Sequence, residues 1–491
     1  MSKLSSFLPN DIKLSQQYMF LSFAVVIILS IWGAVALETW ILLLLPFLLI
    51  GFFQAIVDYQ KIFLLMWATV PISREVYFSN GFGTDLPVEP LMIGLTLIYG
   101  LKVLHRPQTL EEDFCKHPIA LLLILHLIWI AFATLYSANF VFSFKFFLAK
   151  MWYVTAFFFL TGHIVKDMKA LKQWFWVFLI PLVFATTKVI VHHAYLDLGF
   201  KEINIAVLPF FRNHVNYAAI LALALPIAWF FRHLYQKWSI QWWIIWVSMG
   251  ILFFGLLFAY TRAAYVALVL AIMAYWVSRL RLMKIALVLG SVLAIAIVGY
   301  LANNNKYLDL VPKSNTVAHK NFDDIVEATY KLEDVSTMER YYRWIAGVRM
   351  AQEDLWTGFG PNNFYTYYKE YALHRFETYV SDNPEQSTIH NYYLLLLVEQ
   401  GIPGMLIFLA LNFAVLIYSE KLYHEVKDKD LKHIVMSMLL VYVVILAFLL
   451  MNDMIETDKV GSLFFFSMAM LILVQRWDKQ KKNAELPFPK K

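Results

Sequence analysis

Apolar runs of roughly 17–23 residues, divided by short polar stretches, recur along most of the chain from residue 18 onward. At 1.5 Å rise per residue, such runs match the ~30 Å hydrocarbon core of a bilayer. The pattern predicts helical spans near 18–37, 39–57, 61–72, 88–104, 117–136, 140–162, 170–192, 214–231, 239–259, 262–278, 283–301, 402–418, 432–452 and 459–476. The third run, about 12 residues, is short enough to be re-entrant. Between runs, Lys102/Arg106, Lys166/Lys169/Lys172, Arg232/Lys237, Arg279/Arg281/Lys284 and Lys421/Lys427/Lys429/Lys432 all fall on one side, as do the tail residues Arg476, Lys479, Lys481 and Lys482. By the positive-inside rule that side is cytoplasmic. Both termini are therefore expected in the cytoplasm, with the acidic turn of Asp453, Glu456 and Asp458 on the other face. The expected organisation is an N-terminal transmembrane bundle (1–301), an outward loop domain with amphipathic helices (302–389), C-terminal transmembrane helices (390–478) and a basic cytoplasmic tail (479–491).

Composition agrees with an all-α polytopic membrane protein. The chain of 491 residues is 60% hydrophobic and 15% charged, against about 25% charged in soluble domains. The single cysteine, Cys115, excludes an intrachain disulfide and a cysteine metal site. The run Tyr18–Leu37 ends without a small-residue cleavage signature and reads as a retained span. The formal charge of +6 follows from the basic loops and implies no nucleic-acid partner. Within 302–389, Ser336 and Glu339 have capping-box spacing, opening a helix with Tyr341, Trp344, Ile345 and Val348 on one face. A second run, Asn363–Phe376, is rich in Tyr and Phe and suits a membrane interface.

An ionisable group in or beside a span costs ~2.5–3.5 kcal/mol or more, so each is a site candidate. Arg262 lies in the tight turn Tyr260-Thr261-Arg262-Ala263 between two spans. Its planar donor fork suits a diphosphate; a snorkelling arginine on lipid headgroups is the alternative. Arg340 and Arg343, three apart on one helix face, are placed to clamp one anion or to form a solvated face. Gly358 and Gly360, in Gly-Phe-Gly-Pro-Asn-Asn-Phe, form either an anion-binding turn or a plain one. His390, with Asn391, begins a helix that carries His390 and Leu394 on one face, breaks at Gly401 and restarts at Pro403. A neutral imidazole there can remove a proton from a hydroxyl, although a lone histidine is more often structural. Arg212, His214 and Asn216 add donors before another span. Lys145 is available to phosphate, whereas Lys150, nearer mid-span, either pairs with a buried carboxylate or snorkels. Walker A, HExxH and GxSxG motifs are absent. The adjacent pair His192-His193 makes a poor metal site, and Asp323-Asp324 read as solvated acids.

In order and spacing these residues resemble the O-antigen ligase and polymerase family. The resemblance rests on Thr261-Arg262, the helix from Arg340 to Trp344, Gly358-x-Gly360-x-x-x-Phe364, and His390-Asn391 followed by Glu399-x-Gly401-x-x-Gly404. It covers about 210–420 in detail; Ala263 stands where the turn is often glycine. The resemblance implies a GT-C-like membrane fold of about twelve spans, which beside the fourteen apolar runs leads to an expectation of twelve to fourteen. The resemblance also implies inverting transfer, in the bacterial inner membrane, of a glycan from undecaprenyl diphosphate to a hydroxyl on a glycan or lipid A-core acceptor. It implies no cofactor or metal. Arg262 and Arg340 would hold the diphosphate and His390 would position or deprotonate the hydroxyl, with the partners otherwise being membrane lipids. A lipid-linked oligosaccharide flippase, favoured mainly by Lys150, and a protein O-oligosaccharyltransferase are the other readings.

Overall fold

A computed structural model of the protein describes residues 16–47, 49–50, 58–77, 83–309, 335–374, 377, 381–383 and 387–485. Helix α1 (Gln16–Ala36) and the short α2 (Tyr59–Thr69) come first. A two-stranded antiparallel hairpin follows, β1 (Arg74–Tyr77) against β2 (Gly83–Leu86), with Arg74 opposite Leu86. The membrane helices then run α3 (Val88–His105), α4 (Pro118–Leu135), α5 (Phe140–Ile164), α6 (Met168–Tyr195), α7 (His214–Phe231), α8 (Ile240–Leu257), α9 (Arg262–Arg279) and α10 (Met283–Ala302). Two helices outside the spans, α11 (Val335–Ala351) and α12 (Phe364–Tyr371), precede α13 (Tyr392–Glu425), α14 (Lys429–Leu449) and α15 (Asp458–Glu485).

Eleven helices among the described residues, α3–α10 and α13–α15, are long and apolar enough to cross a bilayer, and Leu21–Ala36 is a shorter apolar helix. The chain is an all-α, multi-pass membrane protein. The hairpin was not foreseen, because four-residue strands carry too little alternation to separate from a loop. The span expected over 39–57 is not one continuous helix, since Trp40–Leu44 forms a tight 3-10 turn; residues 51–57 lie outside the described residues. Helix α2 has 11 residues, about 16 Å, too short to cross. The basic tail expected from 479 begins as the last turns of α15, which reaches Glu485. Asp323 and Asp324, and Phe376 at the end of the aromatic run, lie outside the described residues.

The breaks between spans are chemically marked. Asn139, Asp167, Asn213, Ser239, Asn391 and Asp428 each accept a backbone N–H in the first turn of the following helix. This satisfies donors that have no partner within the helix and sets where each span begins. Helices α7, α14 and α15 form the centre: 72%, 72% and 89% of their apolar windows are buried, against 0% for α10. A helix apolar all round is stable only inside a bundle or in lipid. Here α15 occupies the bundle and α10 is left for lipid.

Contacts between connections define one end of the bundle. The α4–α5 connection meets the 358–364 turn, where Ala138 N–H donates to Phe359 O at 3.0 Å. The turn before α9 meets the start of α7, where Thr261 Oγ1 donates to His214 O at 3.4 Å. The hairpin meets the loop before α7, with Arg212 Nε 3.8 Å from Glu75 on β1. We call this the loop end, since α11 and α12 also lie there.

Candidate active site

The glycine motif and the Glu-Gln-Gly break in α13 are one interlocked structure. Glu399, 4% exposed, accepts the N–H of Asn362 on Oε2 at 2.8 Å and that of Phe364 on Oε1 at 3.0 Å. Phe359 and Gly360 donate their N–H groups to the carbonyls of Val398 and Glu399, each at 2.9 Å. The N–H of Gly358 bonds the Asp354 carboxylate; burial pushes that carboxyl up, but bonds from the Thr357 hydroxyl and N–H, the Trp356 N–H and the Gly358 N–H together hold it below its usual range. All three N–H groups are thus committed inside the protein, so Gly358 and Gly360 form a packing turn rather than an anion cradle. At Gly358, φ is +65°, and a Cβ would fall 2.6 Å from Val398 O. At Gly401, φ is +67° and a Cβ would fall 2.2 Å from Trp356 O. Asn363, fully buried, completes the knot by donating from Nδ2 to Ser137 Oγ at 2.8 Å and Ser143 Oγ at 2.9 Å.

His390 stands just before α13, not on it. Asn391 is the N-cap, accepting Leu394 N–H at 3.0 Å, and His390 adopts φ +55°. The expectation of His390 and Leu394 on one helical face is corrected: an asparagine side chain satisfies the first-turn donors so well that the helix starts after it. Asn391 also donates to Leu450 O at 3.3 Å, so its polar groups serve the backbone.

Two guanidiniums on α11 act electrostatically on the His390 ring. Burial, then Arg340, then Arg343 lower its pKa to about 3, with Asn452 opposing as a hydrogen-bond partner of the ring. The imidazole is therefore neutral at physiological pH, and its Nδ1 is buried with no hydrogen-bond partner among the described residues. Arg343, 5% exposed, reaches Glu339 Oε2 at 3.3 Å, and Glu339 Oε1 accepts from Ser381 Oγ at 2.6 Å. Glu339 thus gives the buried Arg343 a counter-charge and accepts from Ser381.

The remaining candidates divide. Arg262 opens α9 half-buried, beside the start of α7. There Asn213 caps the helix through Val215 N–H at 3.0 Å and Asn216 N–H at 2.9 Å, and His214 Nδ1 lies 2.8 Å from Asn204 Oδ1. Asn216 is half-buried in the first turn of α7. Arg212 acts electrostatically on Asp453, whose carboxyl is pushed up by burial and pulled back in part by this guanidinium. Arg262, beside the start of α7, and His390, just before α13, thus both stand at the loop end. Lys145 is exposed on α5. Lys150 is buried and ion-paired with Glu456 at 2.6 Å, the pairing that was one of its two expected outcomes.

Sequence reasoning missed the α14–α15 loop, where Asn452 bonds the His390 ring before α13 and Glu456 bonds Lys150 on α5 and Tyr392 on α13. The available signal was an acidic loop of conspicuous polarity between two nearly uncharged spans. A cavity of about 220 Å³ against Asp58, Lys61, Ile164 and Trp174 lies at the opposite end of the bundle and has no part in this constellation.

Residues 247–409, about a third of the chain, match the family model described as O-antigen ligase. The match contains Arg262, Arg340, Arg343 and His390, and excludes Lys145, Lys150, Arg212 and the α14–α15 loop. No curated protein matches the chain.

Proposed function

With residues 247–409 belonging to the O-antigen ligase family, we propose that this protein joins a glycan carried on undecaprenyl diphosphate to an acceptor hydroxyl, at the periplasmic face of the bacterial inner membrane and without a metal. The observation that carries this reading is a neutral, buried imidazole acted on by two arginines, in the same end of the bundle as Arg262. The acceptor oxygen attacks the anomeric carbon, the bond from that carbon to the diphosphate oxygen breaks with inversion, and undecaprenyl diphosphate leaves. The hydroxyl proton passes to the free Nδ1 lone pair of His390 and then to solvent. Arg262, Arg340 and Arg343 offset the charge that grows on the leaving group, an effect strengthened where water is excluded.

An imidazole held near pKa 3 is a weak base. Burial is the larger cause of that depression and stays; diphosphate placed against Arg340 and Arg343 offsets only the arginines' share, so the ring gains some basicity when the donor is bound. The flippase reading loses its main support, since Lys150 is ion-paired with Glu456. Lipid A core, a growing repeat chain and a protein remain possible acceptors by chemistry; a deletion strain distinguishes the first two, because loss of a ligase strands long glycan on the carrier whereas loss of a polymerase leaves core capped with a single repeat. The direct test uses purified protein with lipid-linked donor and acceptor. Arg262→Ala and His390→Ala should each abolish bond formation at unchanged protein level, and Arg262→Lys should fail too, because an ammonium cannot make the bidentate contact. Full transfer by both alanine variants overturns the proposal.

A further inference from the structure

Lys150 sits in α5 with 5% of its surface exposed, among apolar side chains that include Phe146 and Phe465. Its ammonium donates to Glu456 Oε1 at 2.6 Å and Oε2 at 2.7 Å. The same carboxylate accepts from Tyr392 Oη at 2.7 Å. Tyr392, 1% exposed, is the first residue of α13 and lies two residues after His390. One carboxylate thus ties together α5, the start of α13 and the α14–α15 loop. That loop grips the same short segment again through Leu450 O, which accepts from Asn391, and through Asn452 at the His390 ring.

Stability does not explain such a device. A buried ion pair is commonly no better than apolar residues of equal volume, because desolvation consumes the attraction. Geometry does explain it: bidentate and short, the contacts define where the start of α13 stands relative to α5 to a fraction of an ångström. A backbone displacement of about 1 Å at a reacting group can lower a rate by as much as a hundredfold.

We infer that Lys150, Glu456 and Tyr392 form a positioning clamp that sets His390 against the arginines of α11, without any of the three touching substrate. The inference rests on the proposed glycan transfer, and it goes beyond that reading by giving one span, α5, and the α14–α15 loop, both outside the matched 247–409 stretch, a defined part in the reaction. It also assigns the mid-span cation Lys150 a role other than binding phosphate or carrying charge across the membrane.

The test measures transfer kinetics and unfolding of the full-length protein, purified in detergent, with lipid-linked glycan and a soluble acceptor. Lys150→Met and Glu456→Gln should lower kcat by about tenfold to a hundredfold while the donor KM stays within about twofold. Tyr392→Phe, which keeps the ring and the ion pair, should lower kcat by about threefold to tenfold with unchanged unfolding. Lys150→Arg should restore most of the rate. The triple variant Lys150→Met/Glu456→Met/Tyr392→Phe, which leaves no buried polar group of the clamp unpaired, separates the two explanations: it should regain most of the wild-type resistance to unfolding yet stay slow. Recovery of kcat together with stability, or wild-type kcat in Tyr392→Phe, overturns the clamp. Absence of any glycan–acceptor bond with the wild-type protein would instead overturn the proposed function itself.

Discussion

The bond between Glu399 and the 358–364 turn sets a quantitative expectation. Glu399→Ala removes the acceptor for two backbone N–H groups: that of Phe364, which is buried, and that of Asn362, which is partly buried. An unsatisfied buried donor costs about 1–3 kcal/mol, so about 2 kcal/mol for Phe364 and about 1 kcal/mol for Asn362 give a loss of about 3 kcal/mol. That is roughly a hundredfold in the folded-to-unfolded ratio. Glu399→Gln keeps one carbonyl oxygen and turns an NH₂ group toward the other N–H, so it should fall between wild type and Glu399→Ala. The assay is SDS-driven unfolding from detergent micelles followed by tryptophan fluorescence, paired with limited proteolysis of the 355–364 connection. Cleavage there should rise in the same order as the stability loss. If Glu399→Ala unfolds like wild type, or if Glu399→Gln is the worse of the two, the turn is not held by this carboxylate and the reasoning fails.

Two further outcomes follow from the geometry. Arg343→Gln removes one of the cations that depress His390, so the ring should titrate above its present pKa of about 3, and the acidic limb of the transfer rate should move to higher pH than in wild type. The stability sign agrees: with the folded pKa below the unfolded value of about 6.5, the neutral ring's contribution is complete above that pH and is lost as pH falls toward the folded pKa, so Arg343→Gln should lose less between those limits. Gly401→Ala places a methyl 2.2 Å from a backbone carbonyl at φ +67°, at a cost of at least about 1 kcal/mol in backbone strain before the clash is counted; a wild-type yield and melting temperature for this variant would contradict the interlocked turn.

Some of the site was readable from neighbouring residues alone. The Thr261-Arg262 turn, the helix restart after Gly401 and the pairing of Arg340 with Arg343 on one face each depend on spacing within a few residues. Other assignments moved once partners were known. Gly358 and Gly360 could not be told from an anion-binding turn until Val398, Glu399 and Asp354 were seen to take their N–H groups. Glu339 has the spacing of a cap, and the structure adds a pairing with the buried Arg343 one turn away.

The sequence by itself determined that this is a helical, multi-pass membrane protein, roughly where most spans begin, and which residues were chemically eligible. Those facts follow from hydrophobic length, from capping side chains and from local periodicity, all of which act over a turn or two of chain. Only the tertiary structure decided which eligible groups meet. Lys150 and Glu456 are 306 residues apart, and Glu399 lies 35 residues beyond the Phe364 N–H that it holds. Every polar group near the loop end had several possible partners of similar chemistry. Burial inside a bundle makes an unpartnered one so costly that packing selects a single set of pairs, and no local pattern records that selection.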